Sequence, residues 1–261
     1  MVRFASLSSG SNGNCYYIGT ESVAFLIDVG IGGRTIKKRL SDAGIPFESI
    51  DFILVTHDHS DHIRSLGLFT QRFHKPVYAT RTLHKALSRN YCTMGKMTGC
   101  TEYLEEGESR DICGVQVTPF TVPHDATQTV GYHIVIGGEK FTVMTDLGDV
   151  TDDAVRYASL ADHLIVEANY DIDMLVGGPY PPELKARIMS GHGHLSNEQT
   201  AALVRRAAHE GLRDIFLCHL SAENNTPSRA FETVKKTLEN IGSQASLVCL
   251  PRMQTSEVYR Y

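Results

Sequence analysis

The segment Thr56-His57-Asp58-His59-Ser60-Asp61-His62 gathers three imidazoles and two carboxylates into six residues. It follows Phe52 to Thr56, an apolar run that reads as a buried strand. In extended backbone alternate side chains share a side, so His57 and His59 point together. A turn then brings Asp61 and His62 to face them from the start of the next helix. Neutral imidazole and carboxylate oxygen are ligands of Zn²⁺ and related divalent ions. The alternative is a solvated polar turn, but α/β folds place their sites where buried strands end. Three further ligand-type side chains follow apolar runs in the same way: His124 after VTPFTVP, Asp146 after FTVMT and His219 after IFLC. Singly, each is compatible with a core or turn residue. Together with the cluster they complete two sites of three to four ligands.

These side chains need strands to carry them. Val2 to Leu7, Cys15 to Ile18 and Val23 to Val29 read as strands, with a polar turn between the first two. Val77 to Ala79, Val115 to Val122, Val130 to Ile136, Phe141 to Thr145, His163 to Ala168, Ile215 to Cys218 and Leu247 to Leu250 follow. Helices are expected over Thr35 to Ala43, His62 to Phe73, Thr82 to Asn90, Ala154 to Ser159, Pro182 to Met189, Asn197 to Glu210 and Ser228 to Ile241. Residues 91–100 read as a loop. Strands dominate the first part of each half and helices follow, which fits an α/β (α+β) fold of two mixed sheets packed together with helices outside. The glycines match neither the GxGxxG nor the GxxxxGK[ST] spacing, so a dinucleotide or P-loop fold is not expected.

Length and composition agree with one domain spanning 1–261. Of the 261 residues 42% are hydrophobic and 21% charged, the balance of an ordinary soluble protein. No apolar run is long enough for a transmembrane helix, and MVRFASLSSGSNGN lacks the apolar stretch of a secretory signal, so the expected location is cytoplasmic. Six dispersed cysteines without a CxxC pair predict free thiols rather than a disulfide framework, a Cys92–Cys100 pair being the one bridge to consider. The net charge of −5, taken alone, argues against nucleic acid as a partner.

The HDHSDH motif at 57–62, with LIDVG at 26–30, His124, Asp146 and His219 in order, resembles the metallo-β-lactamase-fold hydrolases over essentially the whole chain. Within that family SLSSGSNGNCYYI at 6–18, TDLGDV at 145–150, VEANYD at 166–171 and SGHGHLSN at 190–197 resemble the bacterial YycJ (WalJ)-like branch. The resemblance implies a four-layer αββα sandwich and two divalent metal ions, Zn²⁺ first, with Mn²⁺ or Fe as the other choices. His57, His59 and His124 would hold one ion and Asp61, His62 and His219 the other, with Asp146 bridging. It also implies hydrolysis by a metal-bridging hydroxide that Asp61 orients. Asp28 would support the ligand loops from behind. His194, paired with Glu167, would be the general acid that protonates the leaving oxygen.

The substrate this implies is nucleic acid, DNA cut from an end, with no membrane and no obligate protein partner. Charge distribution supports a polyanion. Residues 63–99 hold Arg64, Arg72, Lys75, Arg81, Lys85, Arg89 and Lys96, and residues 30–41 hold Arg34, Lys37, Lys38 and Arg39, with no acid in either stretch. Ser11 and Asn14, in a polar turn able to form an anion-binding nest, and Ser196 are the candidate substrate contacts. Tyr91, Tyr170 and Tyr180 are candidates for stacking on bases. Two other functions fit the same motif: a small-molecule hydrolase (cyclic phosphodiesterase, lactonase or thioesterase) and a non-catalytic, metal-bound regulatory module.

Overall fold

The chain builds one sheet, then a second, and its last strand returns to the first. A computed structural model describes residues 1–261. The first part contains β1 (Arg3–Ser8), β2 (Cys15–Gly19), β3 (Ala24–Ile27), α1 (Gly33–Asp42), β4 (Phe52–Leu54), α2 (Ser60–Ile63), α3 (Leu66–Phe73), β5 (Val77–Thr80), α4 (Arg81–Leu87) and β6 (Thr101–Leu104). The second contains β7 (Arg110–Ile112), β8 (Val115–Val122), β9 (Thr129–Ile136), β10 (Glu139–Met144), α5 (Asp152–Ala158), β11 (His163–Glu167), α6 (Ile172–Gly177), α7 (Pro182–Ile188), α8 (Asn197–Ala207), β12 (Asp214–Cys218), α9 (Pro227–Asn240), β13 (Ser246–Cys249) and β14 (Tyr259–Arg260).

The sheet orders are β14-β1-β2-β3-β4-β5-β6 and β13-β12-β11-β10-β9-β8-β7. Each sheet is antiparallel in one part and parallel in the other, with β3 to β6 parallel in the first and β10 to β13 in the second. Buried apolar side chains fall into three groups. One, including Phe4, Phe25, Tyr132, Phe141 and Phe216, joins the inner faces of the sheets. Another packs β11 and β12 against α5, α8 and α9 through Leu164, Val166, Leu203 and Val234. The third packs β3 and β4 against α1 and α3 through Leu26, Ile36, Leu40 and Phe69. Three apolar layers between four structural layers make the αββα sandwich that the sequence resemblance implied.

The single helix expected over His62 to Phe73 is two, α2 and α3. The break turns on Ser65, whose backbone N–H donates to Val29 O at 3.0 Å and whose hydroxyl donates to Ile31 O at 2.6 Å. That contact seats the metal-motif helix on the LIDVG loop. Strands β6 and β7 lie in the acid-rich stretch that gave no strand pattern. They are edge strands, where charged side chains are expected because one side faces water; Glu102 pairs with Arg110 there at 2.8 Å. All six cysteines are free.

Candidate metal centre

The site lies where strands of both sheets end. Thr56 and His57 follow β4, and His59 is the N-cap of α2, which carries Asp61 and His62. Asp28 follows β3, His124 follows β8, Asp146 follows β10 and His219 follows β12, while Glu167 is the last residue of β11. Asp28, Asp146 and His219 have φ of 59°, 53° and 53°. Non-glycine residues rarely adopt this left-handed region, Asp and His more readily than most, and such strain concentrates at functional sites. Hydrogen bonds hold it here. Asp28 N–H donates to Leu54 O at 2.9 Å, and His219 N–H donates to Ser9 Oγ at 3.0 Å.

The donors converge in groups. Ligand atoms of His57, His59 and His124 lie within 4.8 Å of one another, as do those of Asp61, His62 and His219, and those of Asp146, His57 and His62. His62 Nε2 is 3.1 Å from Asp146 Oδ2 and 3.4 Å from Asp61 Oδ2. The chemistry of these atoms fits divalent cations. His57 Nε2, His124 Nε2, His219 Nε2 and Asp146 Oδ2 are buried and have no hydrogen-bond partner. An unsatisfied buried polar atom costs about 1–3 kcal/mol, and four of them aimed into one small volume call for a shared positive charge.

In four of the five candidate histidines the opposite ring nitrogen is tied down, the arrangement that orients a metal-binding imidazole. His62 Nδ1 bonds Asp28 Oδ2 at 2.7 Å, His124 Nδ1 donates to Gly193 O at 2.8 Å, and His219 Nδ1 bonds Glu167 Oε1 at 2.8 Å. His57 is held through a relay. Thr56 spends its one hydroxyl proton on Asp28 Oδ2 at 2.8 Å, so its oxygen accepts from His57 Nδ1 at 3.0 Å. Asp28 thus orients a histidine of each proposed ion's set, His62 directly and His57 through Thr56.

The electrostatics are those of a cation site. Burial, reinforced by the neighbouring His62, pushes His57 well below the ordinary histidine value, and burial lowers His124 too. Both stay neutral, as ligation requires. Burial disfavours an ionised Asp146, but His219, His62 and His57 override it and hold the carboxyl well below its usual range. Burial likewise disfavours a charged His62, yet Asp146, Asp28 and Asp61 raise its pKa well above normal.

Glu167 joins the cluster to His194. It is fully buried, and Oε1 accepts from His194 Nδ1 at 2.7 Å as well as from His219. Oε2 accepts from the backbone N–H groups of Leu147 at 3.0 Å and Leu195 at 3.1 Å. Burial opposes charge on His194, but Glu167 outweighs it and raises the ring's pKa. His194 Nε2 makes no hydrogen bond to the protein. The ring lines a cavity of about 190 Å³ with Ser11, Asp125, Tyr180, Arg187 and Ser221. A larger cavity, about 600 Å³, lies away from the cluster, beside Arg205, His209, Arg213 and Ile241.

Among the expected substrate contacts, Ser11 is exposed and lines the His194 cavity, but Asn14 and Ser196 do not reach it. Asn14 is fully buried, its Nδ2 2.9 Å from His62 Nε2 and its Oδ1 accepting from Gly10 N–H. Ser196 is buried because α8 needs it as its N-cap, in a reciprocal capping box with Gln199. Tyr170 is buried as well and cannot stack on a base, whereas Tyr91 is exposed and Tyr180 lines the cavity. Three residues not singled out from sequence support the site: Thr56, Ser9, and Asn169, whose Nδ2 donates to His219 O at 2.9 Å. Their position beside motif residues was the available signal.

Comparison with known proteins agrees with this geometry. Residues 24–219 match the model of the beta-lactamase superfamily domain. The chain is 33% identical over 237 residues to the exodeoxyribonuclease WalJ of Streptococcus pneumoniae, covering 90% of this chain and 88% of that protein. It is 32% identical over 242 residues to the exodeoxyribonuclease YycJ of Bacillus anthracis, covering 92% and 90%. The metallo-beta-lactamase fold protein YhfI of Bacillus subtilis superposes with a TM-score of 0.73 over 99% of this chain and 98% of its own, at 16% identity. A family match over most of the chain, and relatives a third identical along nearly its full length, leave one assignment: the chain belongs to the beta-lactamase superfamily and has its metallo-hydrolase fold.

Proposed function

We propose that this hydrolase is a dinuclear-metal phosphodiesterase that cleaves nucleic acid, acting on DNA as an exonuclease. The observation that carries the reading is the His194–Glu167 pair beside the metal donors. Its free Nε2 opens toward a cavity, as a general acid for a leaving oxygen requires. The two relatives described as exodeoxyribonucleases support DNA as the substrate. His57, His59 and His124 would hold one ion and Asp61, His62 and His219 the second, with Asp146 between them. Zn²⁺ suits five imidazoles, and a shared carboxylate also suits Mn²⁺ or Fe. When bound, two such ions lower the pKa of a water and neutralise charge growing on a phosphoryl oxygen.

The chain's own side chains do the rest. Glu167 accepts the Nδ1–H of His194 and, by raising the ring's pKa, favours the imidazolium, whose Nε2–H is the proton given to the leaving group, leaving the neutral Nδ1–H ring. Asp61, on the partly open side of the cluster, orients the attacking water. Ser11 offers a hydroxyl at the mouth of the His194 cavity. That cavity is small, which also favours a second reading, a small-molecule ester or cyclic phosphodiester as substrate.

One assay separates the readings. Labelled DNA, bis-p-nitrophenyl phosphate and a lactone are incubated in parallel with Zn²⁺- and Mn²⁺-loaded protein. Hydrolysis of both phosphodiesters is expected. Cleavage of the lactone alone would assign the small-molecule reading, and two bound metals with no turnover would assign a regulatory module. His194→Ala should lower kcat by about 10²-fold or more and keep both metals; loss of metal would make His194 a ligand instead.

A further inference from the structure

Of the basic residues concentrated in residues 30–41 and 63–99, several are already engaged. Lys38 pairs with Asp42 at 2.5 Å, Arg81 with Glu105 at 3.2 Å, Arg39 donates to the Leu7 and Met253 carbonyls, and Lys96 donates to Cys92 O at 2.9 Å. Lys85 and Arg89 are different. Both are exposed, one on α4 and one just after it, and neither makes an ion pair or a side-chain hydrogen bond. They line a cavity of about 390 Å³ together with Asp58, Thr82, Asn90 and Thr127.

The walls of that cavity are fastened to the metal-motif segments. Asp58 sits between His57 and His59. Asn90 Nδ2 donates to Asp58 O at 2.7 Å, and Thr127 donates to the Asp58 carboxylate from N at 3.3 Å and from Oγ1 at 3.2 Å. Thr127 belongs to the loop between β8 and β9 that begins at His124. Through Asp58, between His57 and His59, and Thr127, three residues after His124, the cavity wall is continuous in sequence with the segments that carry these three histidines, while His194 lines a separate cavity. Two cations against one carboxylate, which Thr127 already occupies, leave it positive.

We propose that the Lys85–Arg89 cavity is a second phosphate subsite, which holds the phosphate neighbouring the scissile one and so selects polynucleotides over single phosphodiesters. The proposal rests on the phosphodiesterase reading above. Lys85 and Arg89 supply the charge, and the Thr82 hydroxyl and Asn90 line the same wall. A substrate with one phosphate engages only the metal cluster, whereas a strand that continues past it also meets the two cations.

The test uses the metal-loaded full chain and the double variant K85A/R89A, assayed on oligothymidylate and on bis-p-nitrophenyl phosphate over a range of salt. R205A/K236A, which removes two exposed charges from the outer helices α8 and α9, controls for net charge. Each lost single-strand phosphate contact lowers the slope of log affinity against log salt by about 0.7, so the slope should fall by about 1.4 in K85A/R89A alone. KM for the oligonucleotide should rise about tenfold more than KM for the single diester, with kcat retained. An unchanged slope, or the same change in R205A/K236A, would overturn the subsite while leaving the nuclease reading intact. Wild-type protein that hydrolyses bis-p-nitrophenyl phosphate but neither binds nor cleaves the oligonucleotide would overturn the nucleic-acid reading, and the subsite with it.

Discussion

Glu167→Gln tests whether one buried carboxylate organises both a proposed metal ligand and the proposed acid. An ionised carboxylate offers about four acceptor positions, and all four are used: two by His194 and His219 on Oε1, and two by the Leu147 and Leu195 backbone on Oε2. Glutamine keeps one oxygen. With both imidazoles in their Nδ1–H form, the NH₂ opposes two N–H donors whichever way the amide is turned, and two hydrogen bonds are lost. Bonds to a charged group contribute about 1.5–3 kcal/mol each, so the loss is about 3–6 kcal/mol. That is a large share of the roughly 5–15 kcal/mol by which a domain is stable. With His219 no longer held, metal affinity should fall about 10–100-fold. With His194 released, kcat should fall as in His194→Ala. Urea unfolding, metal content after dialysis and turnover of bis-p-nitrophenyl phosphate read the three effects separately. A Glu167→Gln protein within about 1 kcal/mol of wild type and with full metal content would refute this account of the carboxylate. His194→Ala is the useful contrast. It removes a single bond from Glu167 at a ring that is partly open to water, so it should cost turnover with far less stability.

Three further outcomes follow from the same geometry. Asp28→Asn should weaken both proposed ions about 10–100-fold, because Oδ2 receives His62 directly and His57 through Thr56; competition with a chelator measures it, and loss at one site only would break the relay. Gly30→Ala should fold yet lose metal at the Asp61–His62–His219 set, since a Cβ there would lie 1.6 Å from the Asp61 carbonyl oxygen and the motif backbone must move; unchanged metal stoichiometry would contradict it. Stripping the metals with a chelator should lower the thermal midpoint. A ligand present at a thousand times its Kd stabilises the fold by about 4 kcal/mol, and identical melting with and without metal would mean that the donors do not bind it.

What the sequence disclosed was whatever local geometry controls. HDHSDH is legible because strand alternation and the following helix turn fix the relation of His57, His59, Asp61 and His62 within six residues. His124, Asp146 and His219 are legible as polar residues that end apolar runs. Glu167 carries a second duty, to His219, that no local pattern holds. It depends on β11 lying between β10 and β12, which only the parallel pairing of distant segments decides. In the polar turn and the SGHGHLSN segment, local structure claims polar side chains that a substrate could also use. Ser196 looked like a substrate contact, but Ser196-Asn197-Glu198-Gln199 also carries the pattern of a capping box, and the demand of a helix for its N-cap prevailed. Asn14 was claimed by the neighbouring histidine in the same way. Strands β6 and β7 show no apolar strand pattern because edge strands carry charged side chains toward water.

The two halves of the fold also explain why the donor groups mix residues so distant in sequence. Each sheet ends its strands at the rim where the site lies, and three of the four donor groups draw on both sheets, the fourth (Asp146, Glu167, His194 and His219) coming from the second alone. His57 and His59 come from the first sheet and are completed by His124 from the second; Asp61 and His62 come from the first and are completed by His219 from the second. Asp146, from the second sheet, reaches across to His57 and His62. A cation in either set therefore joins the two sheets, adding a polar fastening at one edge of an interface otherwise held by apolar packing. The strained φ of Asp28, Asp146 and His219 belongs to this arrangement. Those residues turn side chains from strand ends of opposing sheets toward a common point, a direction that continued extended backbone would not give them.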